Sequence, residues 1–188
     1  MVPRDNQWLA IELDGKPWLD LDPLEADRLG LQLDLSLTAG MVADIEAAAL
    51  AHRALARGAV LVGRRSHARG ELETRLARRD GVEAARKAAD RLVAMGVVDD
   101  ARHARELTAL RLQTGWGPAR IAHDLTAAGV ANEQIDSALH DIEVAVLDAA
   151  ARKAVGARSG ADAWRRLAAR GFDEDVAERI IGSSFDDS

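Results

Sequence analysis

The 188-residue chain has no cysteine and no tyrosine, and only 3% of it is aromatic. Without cysteine there can be no disulfide framework, no thiol nucleophile and no cysteine-held zinc. Few aromatics beside 48% hydrophobic and 30% charged residues is the profile of a chain rich in Ala, Leu, Arg and Glu, which favours helices and argues against an all-β fold. Long apolar runs are lacking as well: none approaches the ~18 residues a membrane helix requires. The charged start, Met1 to Gln7, is not followed by an uninterrupted apolar stretch, so no export signal is read there. A soluble, cytoplasmic protein with no membrane partner is expected.

The usual carriers of chemistry are also missing. Gly115-Trp116-Gly117 opens like a phosphate-binding loop but continues Pro118-Ala119-Arg120 and lacks the third glycine, so it reads as a helix stop and restart. The five histidines, His52, His67, His103, His123 and His140, are never three or four apart, so no pair shares a helical face as a local metal site requires. Asp99-Asp100 is an adjacent pair of carboxylates, which on a helix point about 100° apart and suit N-capping better than shared acid-base work. No enzyme activity, cofactor or metal is expected.

What is present is arginine in blocks. The net charge of −6 conceals a strong alternation: residues 1–50 carry −7, 51–98 carry +6, 99–148 carry −5, 149–172 carry +5 and 173–188 carry −5. Only Lys16, Lys87 and Lys153 among the 25 cations are lysines; the rest are planar guanidiniums suited to bidentate contact with phosphate or carboxylate. Arginine blocks can equally be solvated helix faces with acidic neighbours, and composition leaves both readings open.

Along the chain, Trp8 to Leu13 and Lys16 to Asp22 read as two strands joined at Asp14-Gly15, with Pro17 marking an edge. Asp22-Pro23 opens a short helix ending near Gly30, and the alternating Leu31, Leu33, Leu35 and Leu37 predict a third, half-buried strand. Residues 1–39 are therefore expected to form an acidic, β-rich appendage. From Thr38 onward the signals are helical and repeat as helix, turn, short helix, glycine, helix. Leu72 and Leu76 precede Gly81-Val82, and Ala85, Ala89 and Leu92 follow before Gly96. Ile121 and Leu125 precede Gly129-Val130, with Asn132 as the expected cap of the next helix. Leu167 precedes Gly171-Phe172, and Asp173 can cap the helix carrying Val176 and Ile180. The fold class expected is mainly α: an elongated array of three tandem three-helix repeats over 40–97, 98–142 and 143–182, with the β-rich appendage in front and a flexible tail at 183–188.

Gly96-Val97-Val98-Asp99-Asp100 followed by Ala101-Arg102-His103-Ala104 resembles the signature of the RecX family of recombination regulators. The resemblance continues in order through Gly115-Trp116-Gly117-Pro118-Ala119-Arg120-Ile121, Leu125 and Gly129-Val130 to Arg166-Leu167 and Arg170-Gly171-Phe172-Asp173. Upstream, Arg65-Ser66, Glu71-Leu72, Leu76 and Arg78 resemble the family's first-unit motif. Three departures stand out: Ser66 and Glu71 are five apart instead of three, Gly81 lies five rather than four residues after Leu76, and His103 occupies a position usually aromatic.

The resemblance implies tandem three-helix units and a modulator, usually negative, of the RecA recombinase, bound in the groove of its filament on single-stranded DNA and blocking extension, ATP turnover and strand exchange. The expected partners are the RecA filament and, weakly through arginines, single-stranded DNA; a monomer is expected. The contacts are assigned to Arg64, Arg65, Arg69, Arg75, Arg78 and Arg79 in the first basic block and Arg165, Arg166 and Arg170 in the second. Trp116 and Trp164 could stack a base or pack between consecutive units. A helix-turn-helix-like binder of duplex DNA and a DNA-independent repeat scaffold are the alternatives.

Overall fold

The computed structural model describes residues 9–182; Trp8 and the expected tail at 183–188 lie outside the described residues. Strands β1 (Leu9–Leu13) and β2 (Lys16–Leu21) form an antiparallel hairpin. Its turn residues Asp14 and Gly15 take φ of 52° and 71°, the positive angles of a primed two-residue turn whose twist matches the strands. Helix α1 (Pro23–Arg28) starts with proline at its first position and with Asp22 accepting a hydrogen bond from the Leu24 N–H at 2.7 Å.

The third strand expected at residues 31–37 does not form; this stretch is turn and irregular chain. Asp34 turns with φ of 59° and Leu33 is 97% exposed, whereas Leu31 and Leu37 pack on the core beneath the hairpin. The alternation of leucines follows an anchored loop with no neighbouring strand among the described residues to complete a ladder, so backbone pairing there does not reward the extended form. That core contains Leu21, Ala26 and two residues of α2 (Ala39–Val62), Ile45 and Ala49.

The remaining helices follow as α3 (Arg69–Asp80), α4 (Val82–Ala94), α5 (Asp100–Gln113), α6 (Pro118–Ala127), α7 (Asn132–His140), α8 (Val144–Val155), α9 (Gly160–Arg170) and α10 (Glu174–Gly182). From α2 onward they fall into three consecutive triples, each with a short second helix ended by a glycine. The described residues divide into two compact units, one of residues 9–66 and 72–98, the other of 67–71 and 99–182.

In the first unit, Leu72 and Leu76 of α3 and Ala85, Ala88 and Leu92 of α4 bury against Ala54 of α2. Each fully buried leucine contributes about 1.5–3 kcal/mol. Gly58 lets α2 approach α4: a methyl group there would lie 2.8 Å from the Leu92 side chain.

In the second unit, Ile121 and Leu125 of α6, Ile135 of α7, Ala151 of α8, Leu167 of α9 and Val176 and Ile180 of α10 share one core. Helices α6 and α9 both end in the same hydrogen-bonded turn: the N–H of Val130 donates to Leu125 and that of Phe172 to Leu167, each at 3.1 Å. This is the six-to-one bond of a Schellman cap, which tucks the following apolar side chain inward. Asp173 caps α10 as expected, accepting from the Val176 N–H at 2.9 Å. Asn132 does not cap α7; the cap position is Ala131, with no side-chain hydrogen bond, and Asn132 is already the first helical residue.

Candidate functional site

The arginines assigned to the first basic block divide by environment. Arg64 and Arg65 are exposed after α2, with Arg65 Nη1 donating to the Ser66 carbonyl at 3.0 Å. Arg75, Arg78 and Arg79 are exposed on α3, spaced three and four apart so that they share one face. Leu72, Leu76 and Asp80 occupy the buried face of the same helix. Asp80 is withdrawn from that arginine stripe: only 3% of its side chain is exposed, and it accepts from Arg57 Nη2 of α2 at 2.7 Å. Two other acids of the block, Glu83 and Asp90, are engaged by Arg86 and Lys87 within α4. The Arg86 hydrogen bond holds the exposed Glu83 carboxyl below its usual range. Arg86 and Lys87 are thus a solvated, internally paired face, the kind of surface pair that contributes little.

Arg69 stands apart from the α3 stripe. It is half-buried at the start of the helix, and its backbone N–H donates to Asp100 Oδ1 at 2.7 Å. Asp99, next door, is the N-cap of α5 and accepts from the Arg102 N–H at 2.9 Å. The adjacent carboxylates therefore cap two different helices, which answers why both are aspartates: each satisfies a helix-start N–H that has no partner within its own helix. The second of these roles was not legible in the sequence, because Asp100 and Arg69 are 31 residues apart.

The three arginines assigned as contacts in the second block also have three fates. Arg165 forms an exposed ion pair with Asp162 one turn earlier. Arg166 is half-buried, its Nε 3.4 Å from the Ala154 carbonyl at the end of α8. Arg170 lies 4.0 Å over the Trp116 ring and points Nη1 at the carbonyls of Thr114 and Gly115, 3.4 and 3.5 Å away, where α5 ends. Burial and the nearby Arg166 and Arg158 guanidiniums lower the pKa of Arg170. Trp116 is half-buried, with Arg120 a further 5.3 Å from its ring centre. Trp164 is half-buried and packs on the core of the second unit. Trp164 therefore has a packing role, and the half-buried ring of Trp116 is engaged by cations. Lys153 and Arg158, which sequence reasoning passed over, join this neighbourhood: Lys153 Nζ donates to the Gln113 carbonyl at 2.7 Å and Arg158 Nη1 to Val155 at 3.2 Å.

Glycines close the chain onto itself beside these residues. A methyl group on Gly117 would come within 2.4 Å of the Gly171 carbonyl oxygen, and one on Gly171 within 2.5 Å of the Arg120 nitrogen. Backbone hydrogen bonds run through the same contact, from the Gly117 N–H to Arg170 at 2.8 Å and from the Ala119 N–H to Gly171 at 3.1 Å. Gly70 and Gly129 make the corresponding approach earlier in the second unit, where a methyl group on Gly129 would lie 3.1 Å from the Gly70 Cα.

Comparison with known proteins gives this architecture a family. A family model described as RecX, second three-helix domain, matches residues 99–139. A regulatory protein RecX of Pseudomonas fluorescens is 34% identical over 138 residues, covering 68% of this chain and 89% of that protein. One from Pseudomonas putida strain W619 is 36% identical over 138 residues, with 68% and 88% covered. The chain belongs to the RecX family. Two solved structures share the fold: a regulatory protein RecX, with a TM-score of 0.74 at 20% identity over 95% of this chain and 94% of that one, and RecX from Lactobacillus salivarius, with 0.59 at 16% identity over 71% and 96%.

The residues that carry the RecX resemblance here are architectural. Asp99 and Asp100 cap helices, Gly117 and Gly171 permit backbone contact, and Leu125 and Leu167 are fully buried. His103, where the RecX pattern usually has an aromatic ring, is itself buried at 5% exposure. Between Ser66 and Glu71, whose spacing is longer than the RecX pattern, His67 and Ala68 are buried rather than looped out, and His67 Nδ1 lies 3.1 Å from Glu71 Oε2. Among the described residues no helix is long and apolar enough to cross a membrane, and no group of three His, Asp or Glu residues is placed to hold a metal ion. The RecX motif thus accounts for the scaffold, and the exposed arginines are what the scaffold displays.

Proposed function

We propose that this chain is a non-enzymatic regulator that binds the RecA filament on single-stranded DNA and inhibits its extension, ATP turnover and strand exchange. Membership of a family whose members are named regulatory proteins carries the reading. The arginine stripe of α3 supports it physically. Arg75, Arg78 and Arg79 on one exposed face, with Arg64 and Arg65 just before the helix, make a surface for carboxylates or phosphates, and a recombinase filament offers both along one groove. The contacts proposed are those of Arg64, Arg65, Arg69, Arg75, Arg78 and Arg79, with Arg166 and Arg170 in the second unit. Arg165, already paired with Asp162, contributes least. The protein acts as a cytoplasmic monomer in this reading and needs no cofactor.

The test is the single-stranded-DNA-dependent ATP turnover of the cognate RecA, titrated with this protein at low and moderate salt. A dose-dependent fall at or below equal ratios, weakening with salt, is expected. No effect at either salt concentration from folded protein refutes the inhibitor reading. Sequence-selective binding to duplex DNA in a parallel titration would instead favour a helix-turn-helix-like role.

A further inference from the structure

The second unit pairs some of its cations with carboxylates and leaves others without. Asp124 holds Arg111 at 2.7 Å and Arg120 at 3.0 Å, and Asp148 holds Arg179 at 2.7 Å. Lys153, Arg158, Arg166 and Arg170 form no salt bridge among the described residues; each is directed instead at main-chain carbonyls. Lys153 and Arg170 face Gln113, Thr114 and Gly115 at the end of α5, and Arg158 and Arg166 face Val155 and Ala154 at the end of α8. The two helix ends are adjacent, since a methyl group on Gly115 would lie 3.2 Å from the Ala154 nitrogen.

A helix C-terminus carries about half a negative charge, so four cations here face roughly one compensating charge. The surplus is held in place: Arg170 is stacked on Trp116 and half-buried, and its depressed pKa reports burial and the crowding by Arg166 and Arg158. Like charges gathered without a counter-ion cost stability unless an anion is bound, and Arg170, fixed flat on the ring with Nη1 turned to the α5 carbonyls, still has the N–H groups of Nε and Nη2 to offer one.

We propose that Lys153, Arg158, Arg166 and Arg170, arranged around the ends of α5 and α8, form a binding site for the phosphodiester backbone of single-stranded nucleic acid. The site reads phosphates and not bases, because the Trp116 ring that could have stacked a base is engaged by Arg170 at 4.0 Å and Arg120 at 5.3 Å. This inference rests on the nucleic-acid part of the proposed function and assigns it to four residues, two of them outside the arginines named from sequence.

The experiment is fluorescence anisotropy on the full chain, without recombinase, using a labelled 15-mer of deoxythymidine and an abasic 15-mer of the same charge, across a salt series. The variants are Lys153→Ala with Arg158→Ala, and separately Lys87→Ala, an exposed cation paired with Glu83 on α4, each verified as folded by circular dichroism. The two probes are expected to bind within about threefold of one another, since only phosphates are read. The double variant is expected to weaken binding about five- to tenfold at low salt and to lower the slope of log K against log salt by about 0.7 per cation removed, while Lys87→Ala changes little. Abasic DNA that fails to bind, an unchanged slope in the double variant, or no binding by the wild type at low salt would each overturn the site. Preferential displacement of the DNA by polyglutamate would also overturn it, in favour of an acidic protein partner. Because no recombinase is present, a failure of RecA inhibition leaves this result untouched, and the two readings fail separately.

Discussion

Gly81 in the first helix triple and Gly117 in the second are both glycine for physical reasons, and the reasons are opposite. Gly81 takes φ of 82° and ψ of 158°, a conformation nearly closed to other residues, yet a methyl group added there would meet nothing within 4 Å. Gly117 has an ordinary φ of −92°, and a methyl group there would overlap the Gly171 backbone at 2.4 to 2.5 Å. What sets Gly81 apart from the glycines that end the other second helices, Gly129 and Gly171, the latter being the partner of Gly117, follows from spacing. In the first triple Gly81 is five residues after Leu76, and its N–H continues the helix by bonding to Ala77 at 3.2 Å. The later triples place the glycine four residues after the leucine and close the Schellman turn. Val82 is consequently 70% exposed, whereas its counterparts Val130 and Phe172 are buried at 5% and 6%. One sequence signal, leucine then glycine then an apolar residue, marks a helix end in all three triples. It marks a backbone joint only where the turn brings the apolar residue inward.

The largest expected effect separates these two glycines. Gly117→Ala forces backbone atoms apart with no flexible side chain to yield, and a loss of about 3 kcal/mol or more is expected, against about 1–3 kcal/mol of backbone strain for Gly81→Ala. Urea unfolding of the two variants measures the difference. Equal losses would mean the contact at Gly117 relaxes freely and the joint is not rigid.

A second comparison lies within the capping pair. Asp100→Ala removes a charge-assisted hydrogen bond linking residues 31 apart in sequence, and is expected to cost about 1.5–3 kcal/mol. Asp99→Ala removes a local cap and is expected to cost about 1 kcal/mol. A reversed order in thermal unfolding would show that the link from Asp100 to Arg69 contributes less than the α5 cap. Smaller still in stability is Arg78→Ala with Arg79→Ala on the exposed face of α3, within about 0.5 kcal/mol for each change. Under the proposed function that pair should nonetheless weaken inhibition of RecA ATP turnover severalfold. A variant that inhibits like the wild type would move the functional surface away from α3.

Periodicity made most of the scaffold legible: the hairpin at Asp14-Gly15, the helix triples, and Leu72, Leu76, Ile121, Leu125 and Leu167 as core all follow from local spacing and turn chemistry. The leucines at 31–37 misled because alternation specifies which side chains face inward but cannot supply a partner strand. Asn132 misled because its side chain suits a cap while the chain enters the helix one residue earlier. The arginines were the least legible. Sequence groups Arg165, Arg166 and Arg170 together, yet Arg165 pairs with Asp162, Arg166 turns to α8, and Arg170 crosses to a carbonyl 55 or 56 residues away. What an arginine does depends on which helix ends and carboxylates the fold brings to it. That is set by joints such as Gly117 with Gly171, which no window along the chain contains.

The smallest expected effect concerns the charge of the α5 cap. Hydrogen bonding from the Arg102 N–H lowers the pKa of Asp99 in the folded chain. A carboxyl whose folded pKa lies below its unfolded value stabilises the fold fully above the unfolded value, near 3.8, and loses that contribution as the pH falls through the folded one. Asp99→Asn retains a competent cap but cannot titrate. Urea midpoints of wild type and Asp99→Asn should therefore keep a constant separation at neutral pH and shift below about pH 4, with the wild type losing ground as its carboxylate is protonated. A separation independent of pH down to the acid transition would mean that the cap does not depend on the charge, and that only geometry distinguishes Asp99 from Asn at the start of α5.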